Sequence, residues 1–186
     1  MNYIRDIERY IPLNEQEATD QKTMLSFIGQ HPYNVLLRDN CIAHITSSGF
    51  VMNERLDKVL LVHHNIRNVW AWTGGHADGD SDLLHVAIKE AMEETGIATV
   101  KPLSSSVASL DILPVGGHWR NGSFVNAHLH LSVAYILVCN DEEPIRPQMD
   151  ENSAVTWVDT SFFTTKNFEP NDVYLYNKLM DKAKRL

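Results

Sequence analysis

The sequence predicts an α/β protein, with a mixed β-sheet held between helical layers and a helical extension at the N-terminus. Segments rich in Val, Ile, Leu and aromatic residues stand before and after an amphipathic stretch at Asp82 to Thr95. A second amphipathic stretch closes the chain at Asn171 to Leu186. The size agrees: 186 residues, 44% hydrophobic and 22% charged, suit a single domain over 1–186 that buries a substantial core. No repeat, low-complexity tract or linker interrupts it.

After Pro12, residues Asn14 to Gly29 are predicted as a helix with Ala18, Met24, Leu25 and Ile28 on an irregular apolar face, so that 1–35 form an extension to the core. Ile42 to Met52 and Val59 to His63 are predicted strands, joined as a hairpin by the polar turn Asn53 to Asp57. Trp70 to Thr73 alternates bulky and small residues and reads as a strand entering Gly74-Gly75, where backbones approach closely. Asp82 to Thr95 is a helix that sets Leu83, Val86, Ala87 and Ala91 on the sheet, turns its acids outward and ends at Gly96. Val107 to Leu113, Ala127 to Cys139 and Ala154 to Val158 are later strands, separated by Gly116-Gly117 and by Pro144 to Pro147. In the last helix Val173, Leu175, Tyr176, Leu179 and Met180 form the apolar face, and Lys178, Lys182, Lys184 and Arg185 the polar one.

The chemistry concentrates on the Asp82 to Thr95 helix. Glu90, Glu93 and Glu94 stand at i, i+3 and i+4, so three acids meet on one face and repel each other. A hard divalent cation relieves that repulsion, and Mg²⁺ binds through carboxylates together with substrate phosphates.

The 23 residues from Gly75 to Ile97 resemble the signature of the Nudix family, G-x5-E-x7-R-E-U-x-E-E-x-G-U with U aliphatic. Gly75 opens it, Lys89-Glu90-Ala91-Met92-Glu93-Glu94 fills the core, and Gly96-Ile97 closes it. Two positions depart: Ser81 replaces the first Glu, with Asp80 and Asp82 beside it, and Lys89 replaces the Arg. In the family those two residues form a structural ion pair behind the metal-binding face, so a support is lost and no ligand is. Asp82 either reinforces the acid face or caps the helix, and the cap is the commoner role for an acid there.

The resemblance implies an α/β/α sandwich, Mg²⁺ or Mn²⁺ as cofactor, and hydrolysis of the diphosphate bond in a nucleoside diphosphate linked to another moiety, or in a related small metabolite. It is compatible with a homodimer. By motif position Glu90 and Glu94 become metal ligands, Glu93 a ligand or water-holding group, and the Gly75 carbonyl a further ligand. The general base is Glu93 in place, or a Glu on a later loop, for which Glu151 before the Ala154 strand is suitably positioned.

Among substrate contacts, Arg67 suits a phosphate, Trp70 or Trp72 a flat group, and His76 lies one residue past Gly75. The polar loop His118 to Gly122 offers Arg120. His63 and His64 read as strand-end residues. His128 and His130 share a strand face at a spacing that suits a metal, but His-Leu-His-Leu is also the pattern of a half-buried strand, the reading adopted.

A net charge of −8 argues against an unspecialised grip on nucleic acid. The charged N-terminus lacks an apolar signal region, and no apolar run is long enough to span a membrane. Cys41 and Cys139 read as buried small apolar residues and not a disulfide, in keeping with a cytoplasmic location. Two rival functions stand beside hydrolysis. One is ligand binding without turnover, suggested by Ser81 and Lys89; the other is isoprenyl diphosphate isomerisation, which needs a Cys placed for protonation.

Overall fold

The computed structural model describes residues 3–186 apart from 121, with Arg120 described by its backbone alone. Its N-terminal extension holds α1 (Tyr3–Arg9) and α2 (Glu15–Gln30), where the sequence predicted one helix. Asn14 starts α2 by accepting a hydrogen bond from the Glu17 amide at 2.9 Å, and Glu17 reaches back to the Leu13 amide at 2.7 Å. This reciprocal cap satisfies donors that a helix start leaves unpaired.

The main sheet contains β1 (Ala43–Asn53), β2 (Lys58–His64), β3 (Val69–Ala71), β4 (Thr73–His76), β5 (Lys101–Pro102), β6 (Ser109–Val115), β9 (His128–Cys139) and β10 (Asn152–Asp159). A separate hairpin comprises β7 (His118–Arg120) and β8 (Ser123–Val125). The spine of the main sheet runs β10-β2-β1-β9-β5, with β3 on β2, β4 on β1 and β6 on β9. β1 is buried throughout and runs parallel to β9 from Ala43↔Leu129 to Asn53↔Cys139, while its pairings with β2 and β4 are antiparallel. The sheet is therefore mixed, as predicted.

Alternation along the central strands separates two cores. Ile45 and Val51 of β1 and Leu131, Val133, Tyr135 and Leu137 of β9 pack with Ala87 and Ala91 of α3 (Leu83–Thr95) and with Met24 and Ile28 of α2. On the other face Phe50, Met52, Ala134 and Ile136 pack with Tyr176, Leu179 and Met180 of α4 (Pro170–Ala183). Helices thus cover both faces, giving the expected layers. Among the described residues no helix is long and apolar enough to cross a membrane.

Four expectations are corrected. The single strand at Trp70 to Thr73 breaks at Trp72: β3 stays on β2, and β4 moves to β1, whose N-terminal half needs a partner because β1 meets β2 at Met52↔Val59. The polar loop at His118 to Gly122 forms part of the β7–β8 hairpin, where Trp119 and Phe124 pack across the strands at 5.6 Å. Cys41 is exposed, and only Cys139 is buried. Lys178, assigned to the polar face of the last helix, is buried and pairs with Asp111 at 2.6 Å and Glu17 at 3.1 Å.

Candidate active site

α3 begins at Asp82, whose side chain accepts from the His85 amide at 3.1 Å, so Asp82 takes the capping role. It ends at Gly96, left-handed at φ 69°, a conformation that favours glycine. Between these stops one flank of α3 lies against β4. Contrary to the outward orientation predicted, Glu94 is 6% exposed and its carboxylate accepts from the Gly74 amide at 3.4 Å.

Gly74 is dictated by the close approach of β4 to β1, and Gly75 by that of α3. A Cβ on Gly74 would stand 2.8 Å from the Ser48 Cα, and one on Gly75 would run into the Glu90 carboxylate. Glu93, three residues on from Glu90, is half exposed. Lys89 stands 3.8 Å from both Glu90 and Glu93, at the edge of the acids rather than among them.

Burial, with Glu90 and Glu151 nearby, pushes the Glu94 carboxyl up to about 8 against the opposing pull of the Gly74 amide. Glu90 is raised too, chiefly by burial and further by Glu93 and Glu151, while Lys89 and Arg38 pull the other way. A buried carboxyl and a half-buried one, both raised although Lys89 and Arg38 pull on Glu90, are short of positive charge. The donors are all oxygen, which suits Mg²⁺ or Mn²⁺, and the cleft between Gly75 and Glu90 leaves no room for a side chain. The residues present fit such an ion.

Backbone contacts explain how Glu151 joins the acids. The Arg146 amide donates to the Thr95 carbonyl at 2.8 Å and the Gln148 amide to the Glu94 carbonyl at 3.3 Å, docking 146–151 on the end of α3. The Asn65 amide donates to the Glu151 carbonyl at 2.9 Å, so the loop bearing Arg67 is tied to the same segment. Arg67 is exposed there. Arg38, which the sequence reading missed, grips Asp78 through two hydrogen bonds of 2.8 and 2.7 Å and acts electrostatically on Glu90 and Glu151. It lies between α2 and β1, where no periodicity or motif marks it.

Other predicted contacts fall elsewhere. The Trp72 ring packs edge-on against Phe50 and Tyr176, at 6.2 and 5.9 Å, in the core beneath α4. His76 joins His44 and His130 with ring centroids 4.9 Å away. In that cluster burial pushes His130 down to about 3, helped by its imidazole neighbours, and lowers His44 as well. His63 is occupied by Ser153 at 2.8 Å, and His64 accepts from the Ile66 and Arg67 amides. The Arg120 side chain lies outside the described part of the structure.

A family model described as the NUDIX domain matches residues 43–179, from β1 to the middle of α4. The chain belongs to the Nudix family. Its reaction class is accordingly that of a Nudix-type pyrophosphohydrolase. Among solved structures, a Nudix-family hydrolase from Clostridium perfringens is 23% identical, with a TM-score of 0.52 over 74% of this chain and 96% of that one. An Ap4A hydrolase binary complex from C. elegans is 13% identical, also at 0.52, over 76% and 98%. A bifunctional NMN adenylyltransferase/ADP ribose pyrophosphatase from Francisella tularensis, complexed with AMP and a Mn ion, is 18% identical at 0.52, over 75% of this chain and 41% of that one. These likenesses concern the fold. No match to a curated protein emerges.

Proposed function

We propose that the chain uses Mg²⁺ or Mn²⁺ to hydrolyse the diphosphate bond of a small metabolite, a nucleoside diphosphate linked to a second group or a close relative. The observation that carries this reading is the pairing of buried Glu94 with half-buried Glu90, both turned onto Gly74-Gly75 with Glu151 close by. Glu90, Glu94 and the Gly75 carbonyl would hold the metal, with Glu93 as a further ligand or as the group that holds water. When bound, the ion supplies charge neutralisation for the diphosphate and polarises its phosphoryl oxygens. Glu151 takes the proton from the attacking water, with half-exposed Glu93 as the other candidate. Arg67 meets a phosphate on the open side.

Two neighbours in fold, described as an Ap4A hydrolase and an ADP ribose pyrophosphatase, support a nucleotide-containing substrate. Isomerisation is disfavoured because the buried Cys139 thiol is pushed up to about 12. The test is release of phosphate or nucleoside monophosphate from a panel of diphosphates with Mg²⁺, Mn²⁺ or chelator. Turnover that vanishes with chelator supports the proposal. Turnover unchanged by chelator, or none across the panel while metal remains bound, overturns it.

A further inference from the structure

Away from the carboxylates, the sheet gathers four histidines that the proposed hydrolysis does not use as a group. Strand register brings them together: His44 of β1 stands opposite His130 of β9, His128 lies two residues away on the same face, and His76 of β4 pairs with Thr46. One ring nitrogen from each of the four lies within 4.8 Å of every other. We infer that His44, His76, His128 and His130 form a second metal site, for a borderline divalent transition ion of the Zn²⁺ type.

Hydrogen bonds orient two of the rings. His44 Nδ1 lies 2.9 Å from the Asn40 carbonyl, and His128 Nδ1 lies 2.9 Å from the Asn126 carbonyl. A carbonyl only accepts, so in both residues Nδ1 carries the hydrogen and Nε2 keeps its lone pair. This is the arrangement by which an outer carbonyl fixes the tautomer of a metal-bound histidine. His44 is 4% exposed, and its Nε2 is buried with no hydrogen-bond partner among the described residues. Buried polar atoms seldom stay unpaired, so that nitrogen calls for an electron-pair acceptor.

The spacing agrees. His128 Nε2 and His130 Nε2 are 3.2 Å apart. A tetrahedral ion with bonds of about 2.0–2.1 Å to nitrogen sets its donors roughly 3.3 Å apart, so this edge of the cage is already at length. Small ring movements bring in the more distant nitrogens. Imidazole donors suit Zn²⁺, Cu²⁺ or Ni²⁺, whereas Mg²⁺ takes oxygen and suits the acids on α3. The ion would clamp β1, β4 and β9 together, and β4 also carries the glycines that back Glu90 and Glu94.

The experiment uses the full chain with Glu90→Gln and Glu94→Gln, stripped of metal and titrated with Co²⁺ and then Zn²⁺. The unaltered chain held in excess Mg²⁺ repeats it without substitutions. The expected result in both is about one equivalent of Co²⁺ with the intense visible bands of tetrahedral coordination, displaced by Zn²⁺, whose X-ray absorption shows imidazole scattering. His128→Ala, at a half-exposed position, should weaken binding by more than the roughly tenfold loss that outer-shell changes cause, and His44→Gln should do the same. Neither ion binding in either form overturns the site. So does binding left unchanged by His128→Ala, or bound Zn²⁺ without imidazole scattering.

Discussion

Glu17 and Glu94 are both helical glutamates, 0% and 6% exposed, yet the protein treats them oppositely. Burial alone would raise Glu17, but the Leu13 amide, Tyr10 and the Lys178 ammonium outweigh it and hold its carboxyl below the usual range. Glu94 has the Gly74 amide and two neighbouring acids, and its carboxyl rises to about 8. Among the described residues no basic side chain pairs with it. A buried carboxylate that carries its own cation is part of the frame; one left without a cation leaves its charge to be met from outside.

The sharpest way to break that contrast is Glu94→Gln. It should lower turnover by roughly 10²- to 10³-fold, the scale of losing one preorganised electrostatic contact. The metal-free variant should melt at or above the wild-type temperature near neutral pH, because the amide is neutral in both states and escapes the cost of keeping a buried carboxyl protonated. Unchanged turnover would remove Glu94 from the metal centre. Glu151→Gln and Glu93→Gln then divide the roles around it. Loss of the general base costs on the order of 10² or more in kcat, and a flattened acid limb of the pH–rate profile should accompany the Glu151 change alone. If the Glu93 variant shows that flattening instead, Glu93 is the base.

Lys178→Met tests the other half of the comparison. It strands Glu17 and Asp111 in the core and should cost about 3–5 kcal/mol, read from the urea midpoint. A cost close to zero would make the network neutral to stability. The smallest expected effect lies in acid. Glu17 has a folded pKa below its unfolded value of about 4.3, so its contribution to stability is present above that value and is lost as the pH falls through the folded pKa. Lys178, Asp111, Tyr10 and Lys182 face it. Urea midpoints measured from about pH 6 down to about pH 3 should fall less steeply in Glu17→Gln than in the wild type.

The carboxylates were legible because i, i+3 and i+4 is a local pattern, settled by the helix itself. Asp82 as cap and Gly96 as stop are local in the same sense. The direction of the acid face was not, since it depends on β4 pairing with β1 some 24 to 30 residues earlier in the chain. The same limit hid Lys178, whose partners Glu17 and Asp111 lie far away in sequence, and Arg38, which acquires its place from Asp78. His128 and His130 looked like an ordinary alternating strand because His44 and His76 reach them only through strand register. The split at Trp72 was unreadable for a related reason: the segment's composition suits a strand on either neighbour.

The parallel pairing of β1 with β9 joins positions 86 residues apart along eleven matched residues. Contacts of such separation are slow to form, because a long loop must close before they are rewarded. During synthesis β1 emerges well before β9, with the acid-bearing helix between them in the chain. The surface on which that helix rests is therefore completed only after residue 139 has left the ribosome, and the acid cluster should be among the last parts of the molecule to settle.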